Sequence, residues 1–253
     1  MKKVLLAAIG LGVLAASASA RAADLPVKAY TKAPPAVVVR VYDWTGFYGG
    51  INAGGGSSRN CWTLLSNAGV PVNPVAGREG CHGAGGAAVG GQIGYRYQMA
   101  NWVFGVEAQG DWAGFKGTSR DLALAGLSDR SRLNGFGLFT GQVGYAFNNV
   151  LGYIKGGAAV AGDRYDVLNA AGAVVDSAKA TRWGGAIGAG IEYGFAPNWS
   201  VGVEYDHLFL GNKNLNFTNA AGATTMMRNI SGDADIGLVR LNYKFGGPMM
   251  MKF

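Results

Sequence analysis

Ser200, Glu204, Asp206 and His207 place a hydroxyl, two carboxylates and an imidazole within eight residues, the parts of a Ser-His-acid hydrolase. The stretch around them alternates apolar and polar residues, and successive side chains of a strand point to opposite faces. Ser200, Glu204 and Asp206 then share one face and His207 takes the other, so no triad assembles along this strand. The second of the two histidines, His82, adjoins Cys81, with Cys61 twenty residues before that cysteine. Two thiols and one imidazole fall short of the four ligands of a structural zinc centre. No catalytic set, metal site or cofactor is expected.

The alternation itself is the informative pattern. In Trp102 to Trp112 the even positions are apolar or glycine, and the odd ones carry Glu107, Gln109 and Asp111. The same period sets Phe47, Ile51 and Ala53 against Tyr48 and Asn52, and Val89, Ile93, Tyr95 and Tyr97 against Gln92 and Arg96. Further runs oppose Val143, Tyr145 and Phe147 to Gln142; Ile154, Ala158 and Val160 to Lys155; and Trp183, Ile187, Ile191 and Tyr193 to Arg182 and Glu192. The last two oppose Trp199, Val201, Val203 and Tyr205 to Glu204 and Asp206, then Val239, Leu241, Tyr243 and Phe245 to Arg240, Asn242 and Lys244. The polar face of these eight runs holds five bases (Arg96, Lys155, Arg182, Arg240, Lys244) and five acids (Glu107, Asp111, Glu192, Glu204, Asp206). Taken run by run, a soluble antiparallel sheet with one solvated face fits equally well. Context distinguishes the two.

Met1-Lys2-Lys3 precedes an apolar run from Val4 to Ala16, shorter than the about 20 residues of a membrane helix. It reads as a secretory signal over 1–22, with Ala20 or Ala23 as alternative cleavage points. A cut after Ala22 removes Lys2, Lys3 and Arg21 and takes the formal net charge from +7 to +4. Glycine and polar residues interrupt every later apolar run, so a membrane-spanning form could only be a closed barrel. Modest basicity without a Lys/Arg-rich run gives nucleic-acid binding little support. In an exported chain Cys61 and Cys81 are expected to pair as a disulfide.

Connections between the runs alternate in length. Gln98 to Asn101, Asn148-Asn149 and Ala196-Pro197-Asn198 are tight turns, whereas 55–86, 113–131, 162–181 and 210–233 read as long loops. Short turns at one end and long loops at the other is the arrangement of outer-membrane barrels. Tyr95, Tyr97, Trp102, Tyr145, Phe147, Tyr193, Trp199, Tyr243 and Phe245 cluster at strand ends beside the short turns, as an aromatic girdle does, and Tyr153 and Trp183 extend that band. Residues 23–43, with three prolines, read as a periplasmic tether, and 44–253 as the barrel.

The signal with Ala23-Asp24-Leu25-Pro26, the stretch Asp43-Trp44-Thr45-Gly46-Phe47-Tyr48-Gly49-Gly50, and Val239-Arg240-Leu241-Asn242-Tyr243-Lys244-Phe245 resemble small outer-membrane β-barrel proteins of Gram-negative bacteria. These are the opacity-like and hemin-binding surface antigens often labelled porin family. The resemblance covers essentially the whole mature chain. It implies an all-β, eight-stranded antiparallel up-and-down transmembrane barrel with short periplasmic turns and long extracellular loops. It also implies outer-membrane insertion by the barrel assembly machinery. Such barrels end in an aromatic residue on the final strand; here Phe253 ends the chain beyond Phe245, and Phe253 is taken as the assembly signal with Phe245 as the alternative.

The expected function is a non-enzymatic structural and surface barrel supporting envelope integrity, with loops for external contact. Its partners would be outer-membrane lipid and lipopolysaccharide, with a host or cell-surface ligand left open. Arg78, Arg120, Arg130, Arg132 and Arg228 suit lipopolysaccharide phosphates. One alternative is a hemin receptor, which the family's hemin-binding members imply, with His82, Met226 and Met227 as the available iron ligands. The other is a small-solute porin, although side chains just fill an eight-stranded barrel.

Overall fold

The computed structural model describes residues 41–73 and 77–246 of the 253. The signal region 1–22, most of 23–43 and Phe253 lie outside the described residues. Eight long antiparallel strands are present: β1 (Gly46–Asn67), β3 (Arg78–Met99), β4 (Trp102–Arg120), β5 (Ser128–Phe147), β6 (Val150–Leu168), β7 (Val174–Ala196), β8 (Trp199–Thr218) and β9 (Thr224–Lys244). A two-residue strand, β2 (Val70–Pro71), folds back on the end of β1. Each long strand pairs with the next, and β1 also pairs with β9 from Tyr48↔Lys244 to Asn67↔Met226, which closes the ring. Among the described residues, closure gives each of the eight long strands a partner on both sides, the condition for crossing lipid with strands.

The exterior is the apolar face. Phe47, Ile51, Ile93, Val106, Ile154, Ile187, Ile191, Val203 and Val239 are all more than half exposed. Their neighbours on the opposite parity, Asn52, Gln92, Glu107, Lys155, Glu192, Glu204 and Arg240, are at most 5 % exposed. In water this distribution would be untenable; against acyl chains it is the favourable one. Inside, Tyr48 and Tyr153 lie over glycines of the neighbouring strand. A Cβ on Gly94 or Gly190 would come within 2.6 Å of the respective tyrosine ring.

At one end the strands join through turns whose first residue holds a left-handed φ, 54° at Ala100 and 53° at Asn148. The opposite end corrects the expectation of long loops. The strands continue through nearly all of 55–86, 113–131, 162–181 and 210–233, and the connections shrink to 68–77, 121–127, 169–173 and 219–223. Two of these are the same turn. In Asn169-Ala-Ala-Gly-Ala173 and Asn219-Ala-Ala-Gly-Ala223 the Asn side chain accepts two backbone N–H bonds at 3.0 Å, and Gly172 and Gly222 take φ of 79° and 80°.

The upper wall escaped the sequence reading because its alternation is inverted. In Leu215-Asn216-Phe217 the apolar residues turn inward, 6 % and 0 % exposed, and the asparagine turns outward. Above the lipid the outside meets water, so the polarity of the two faces exchanges.

Candidate functional site: a lumen filled in layers

At the end carrying the short turns, residues before β1 enter the ring. Tyr42 N donates to Asn149 Oδ1 and Trp44 N to Gln98 Oε1, each at 2.9 Å, and both rings are buried. They pack with Val103, Ala146, Leu151 and Tyr153. Lys244 bonds the Asp43 carbonyl and lies 3.4 Å from its carboxylate. Residues 41–43, read from the sequence as the end of a tether, are therefore part of the closed mouth.

Above them lies the ionic layer. Arg240 pairs with Glu107 and Glu204. Lys155 Nζ lies 2.7 Å from Glu204, 3.2 Å from Asp206 and 3.5 Å from Glu107. The Tyr48 hydroxyl donates to Glu107 and the Tyr153 hydroxyl to Glu204, both at 2.6 Å. Arg96 bonds Glu192 at 2.9 Å, and its guanidinium lies 4.4 Å from the Tyr48 ring centre and 5.4 Å from that of Tyr153. Ser200 and Asn242 both donate to Glu192.

Ten charges were expected to form this layer, and all ten side chains point inward. They divide into separate groups. Glu107, Lys155, Glu204, Asp206 and Arg240 form one cluster, and Arg96 with Glu192 a second. Arg182 sits higher and pairs at 2.7 Å with Asp163, a partner the sequence reading missed. Lys244 belongs to the lower mouth, and Asp111 accepts from Gln109 at 2.9 Å. Tyr153, assigned from sequence to the outer band, is a lumen residue; it shares the parity of Lys155, which was the available signal.

The nine aromatic residues assigned to the girdle face outward near the short turns, with Trp102 meeting Tyr145 and Trp199 meeting Tyr243 edge to face at 5.6 Å and 5.0 Å. Tyr95 packs on Phe47 at 4.8 Å; Tyr97, Phe147, Tyr193 and Phe245 are about half exposed or more. Trp183 faces outward at the other edge of the apolar band, together with Trp112.

Over the ionic layer comes an apolar one, unforeseen from sequence, that includes Phe115, Leu133, Phe136, Leu138, Leu208, Ile236 and Leu238. Higher still, Trp62, Tyr165, Val167, Leu215, Phe217 and Ile230 fill the upper wall. Cys61 and Cys81 align across β1 and β3 on this wall and form a disulfide.

At the top, Arg228 is fully buried and meets Asp129 at 2.8 Å, Glu79 at 3.0 Å and Asp121 at 3.1 Å. It also lies against the Trp62 and Phe217 rings. This corrects its assignment to lipopolysaccharide phosphates, since its guanidinium is inside and already engaged. Burial pushes the Glu79 carboxyl up to about 8 and that of Asp129 to about 7, against the pull of Arg228.

The hydrolase residues remain apart: Ser200 bonds Glu192 inside, while His207 Nδ1 lies 2.7 Å from Asp235 on the outer face. The iron ligands do not converge either. His82 aligns with Asn60, which aligns with Gly232, six positions along β9 from Met226. Met227 faces outward.

A closed ring that is apolar outside and ionic inside defines a transmembrane β-barrel. The family model described as outer membrane protein beta-barrel domain matches residues 6–228, and the chain belongs to that family. The 31 kDa outer-membrane immunogenic protein of Brucella melitensis is 33% identical over 228 residues, spanning 85% of this chain and 90% of the relative. The 25 kDa outer-membrane immunogenic protein of Brucella abortus is 28% identical over 238 residues, spanning 94% and 96%. Among solved structures, the outer membrane protein OprG from Pseudomonas aeruginosa aligns at TM-score 0.46 and 10% identity, covering 81% of this chain and 99% of that one. The protein is an outer-membrane surface barrel.

Proposed function

We propose that the protein is a sealed, non-enzymatic structural barrel that supports the envelope and presents its extracellular end to the surroundings. One observation carries this reading: the lumen is occupied at successive heights by the Tyr42–Trp44 plug, the Arg240–Glu107–Glu204–Lys155 cluster, and two apolar layers. Ions and sugars would have to break paired buried charges, each costing several kcal/mol to strand, and then cross packed hydrocarbon. The lack of convergence among His82, Met226 and Met227 weighs against a hemin receptor, and the opposed faces of Ser200 and His207 weigh against hydrolysis.

Liposome swelling tests the seal. Vesicles carrying the refolded barrel should exclude arabinose and glucose as protein-free vesicles do. Sugar-size-dependent swelling would overturn the reading in favour of a porin. A hemin titration should leave the Soret band unshifted at micromolar concentration; a saturable shift would restore the receptor.

A further inference from the structure

Above the apolar band, acids and bases part company. Glu79, Asp121, Asp129, Asp163 and Asp176 turn inward and are at most 6 % exposed. The outward positions of four adjacent strands instead carry a lateral row of cations. Lys116 aligns with Arg132, Arg132 with Arg164, and Arg164 with Lys179. Their chain neighbours Phe115, Leu133, Tyr165, Ala178 and Ala180 are buried, so the four side chains share the outer face. At the usual strand spacing the row is roughly 14 Å wide.

Like charges directly opposite one another across a sheet destabilise it. Among the described residues on this part of the outer face, one carboxylate answers the row. Asp166 lies 3.0 Å from Arg164 and 3.6 Å from Arg132, buried beneath them. Lys116 and Lys179 are exposed, with no acidic group within 4.0 Å among the described residues. The row therefore carries an excess of positive charge that an external anion would relieve.

Its height selects the anion. Four residues below Lys116 and Lys179 on their strands, Trp112 and Trp183 mark the upper edge of the apolar band, 77 % and 64 % exposed. Four residues of a strand tilted by about 40° rise roughly 10 Å, which places the row at the head groups of the outer leaflet. Below the β4–β5 end of the row, the outer wall is recessed around Gly91, Ala108, Gly110 and Phe139. This hollow of about 410 Å³ is apolar enough for an acyl chain.

We propose that Lys116, Arg132, Arg164 and Lys179 form a binding site for the phosphates of a bis-phosphorylated glycolipid of the outer leaflet, seated with an acyl chain in the recess below. The site gives the barrel one lipid-specific side, facing β4 to β7. It rests on the surface-barrel reading and names the lipid class held by that surface.

The test uses the full-length chain refolded in phosphatidylcholine vesicles, with bis-phosphorylated lipid A as the probe and energy transfer from tryptophan to a labelled lipid as the readout. The wild type should enrich lipid A next to the barrel in a salt-sensitive manner. Lys116→Gln with Lys179→Gln, which leaves the partners of Asp166 in place, should weaken that enrichment about tenfold. Arg59→Gln, on β1 away from the row, should leave it at the wild-type level. Heat-modifiable gel migration reports separately whether each variant is a folded barrel. Wild-type affinity in a folded Lys116/Lys179 variant, or equal binding of dephosphorylated lipid A, would overturn the site. So would a loss confined to a soluble sulfated polysaccharide.

Discussion

The guanidinium of Arg240 on β9 meets the carboxylate of Glu107 on β4, three strands away around the ring, so one ion pair ties opposite parts of the wall across the lumen. Arg240 holds Glu204 at the same time, and Lys155 completes the group. Removing one partner strands buried charge, whereas replacing the whole group by apolar residues of similar volume does not. Arg240→Met should therefore cost about 3–5 kcal/mol in urea unfolding followed by tryptophan emission. Adding Glu107→Gln and Glu204→Gln should recover part of that loss. A loss in the triple variant equal to the sum of the single losses would show that the groups act independently.

The mouth at the short-turn end depends on Trp44, which is 2 % exposed and lies 5.6 Å from the Arg96 guanidinium. Trp44→Ala should destabilise the barrel by about 3 kcal/mol through the cavity it leaves. Hydrogen exchange at the amides of Tyr42 and Trp44 should accelerate, while that of the mid-strand β8–β9 pairs stays slow.

The top of the barrel should be pH-sensitive. Glu79 and Asp129 compete for Arg228, and their folded values of about 8 and about 7 lie above ordinary carboxyl values near 4. Between these limits the folded state binds more protons than the unfolded one, so stability falls as pH rises from about 4 to about 8 and then levels. Unfolding at pH 5 and pH 8.5 should differ by on the order of a few kcal/mol. Glu79→Gln with Asp129→Asn should flatten that profile; an unchanged slope would place the titrating groups elsewhere.

The disulfide joins in-register residues of β1 and β3 on the upper wall and closes 20 residues of chain. Reduction should loosen this hairpin locally. Protease cleavage within 62–80 should rise, while heat-modifiable migration of the barrel persists.

The lipid-crossing half of the fold was legible in the sequence because lipid outside and charge inside make each strand alternate in one sense. Arg96, Glu107, Lys155, Glu192, Glu204 and Arg240 could be placed in the lumen from parity alone. Their division into clusters could not, since partners such as Arg240 and Glu107 are 133 positions apart. The upper wall was hidden by its reversed alternation and by bulges, such as that between Leu210 and Lys213, which shift parity within a strand. Arg228 shows the consequence: an arginine beside an expected loop reads as solvent-facing, yet the wall continues past it and turns it inward. Tyr42 and Trp44 precede the first strand, where no alternation assigns them a side.

The seal is tested most directly by single-channel recording of the full-length barrel in planar bilayers. A sealed wild-type barrel should give no discrete conductance steps at either polarity, and the variant with Arg240 and Lys155 both replaced by alanine should give small openings. Steady, ion-selective steps from the wild-type protein would contradict it.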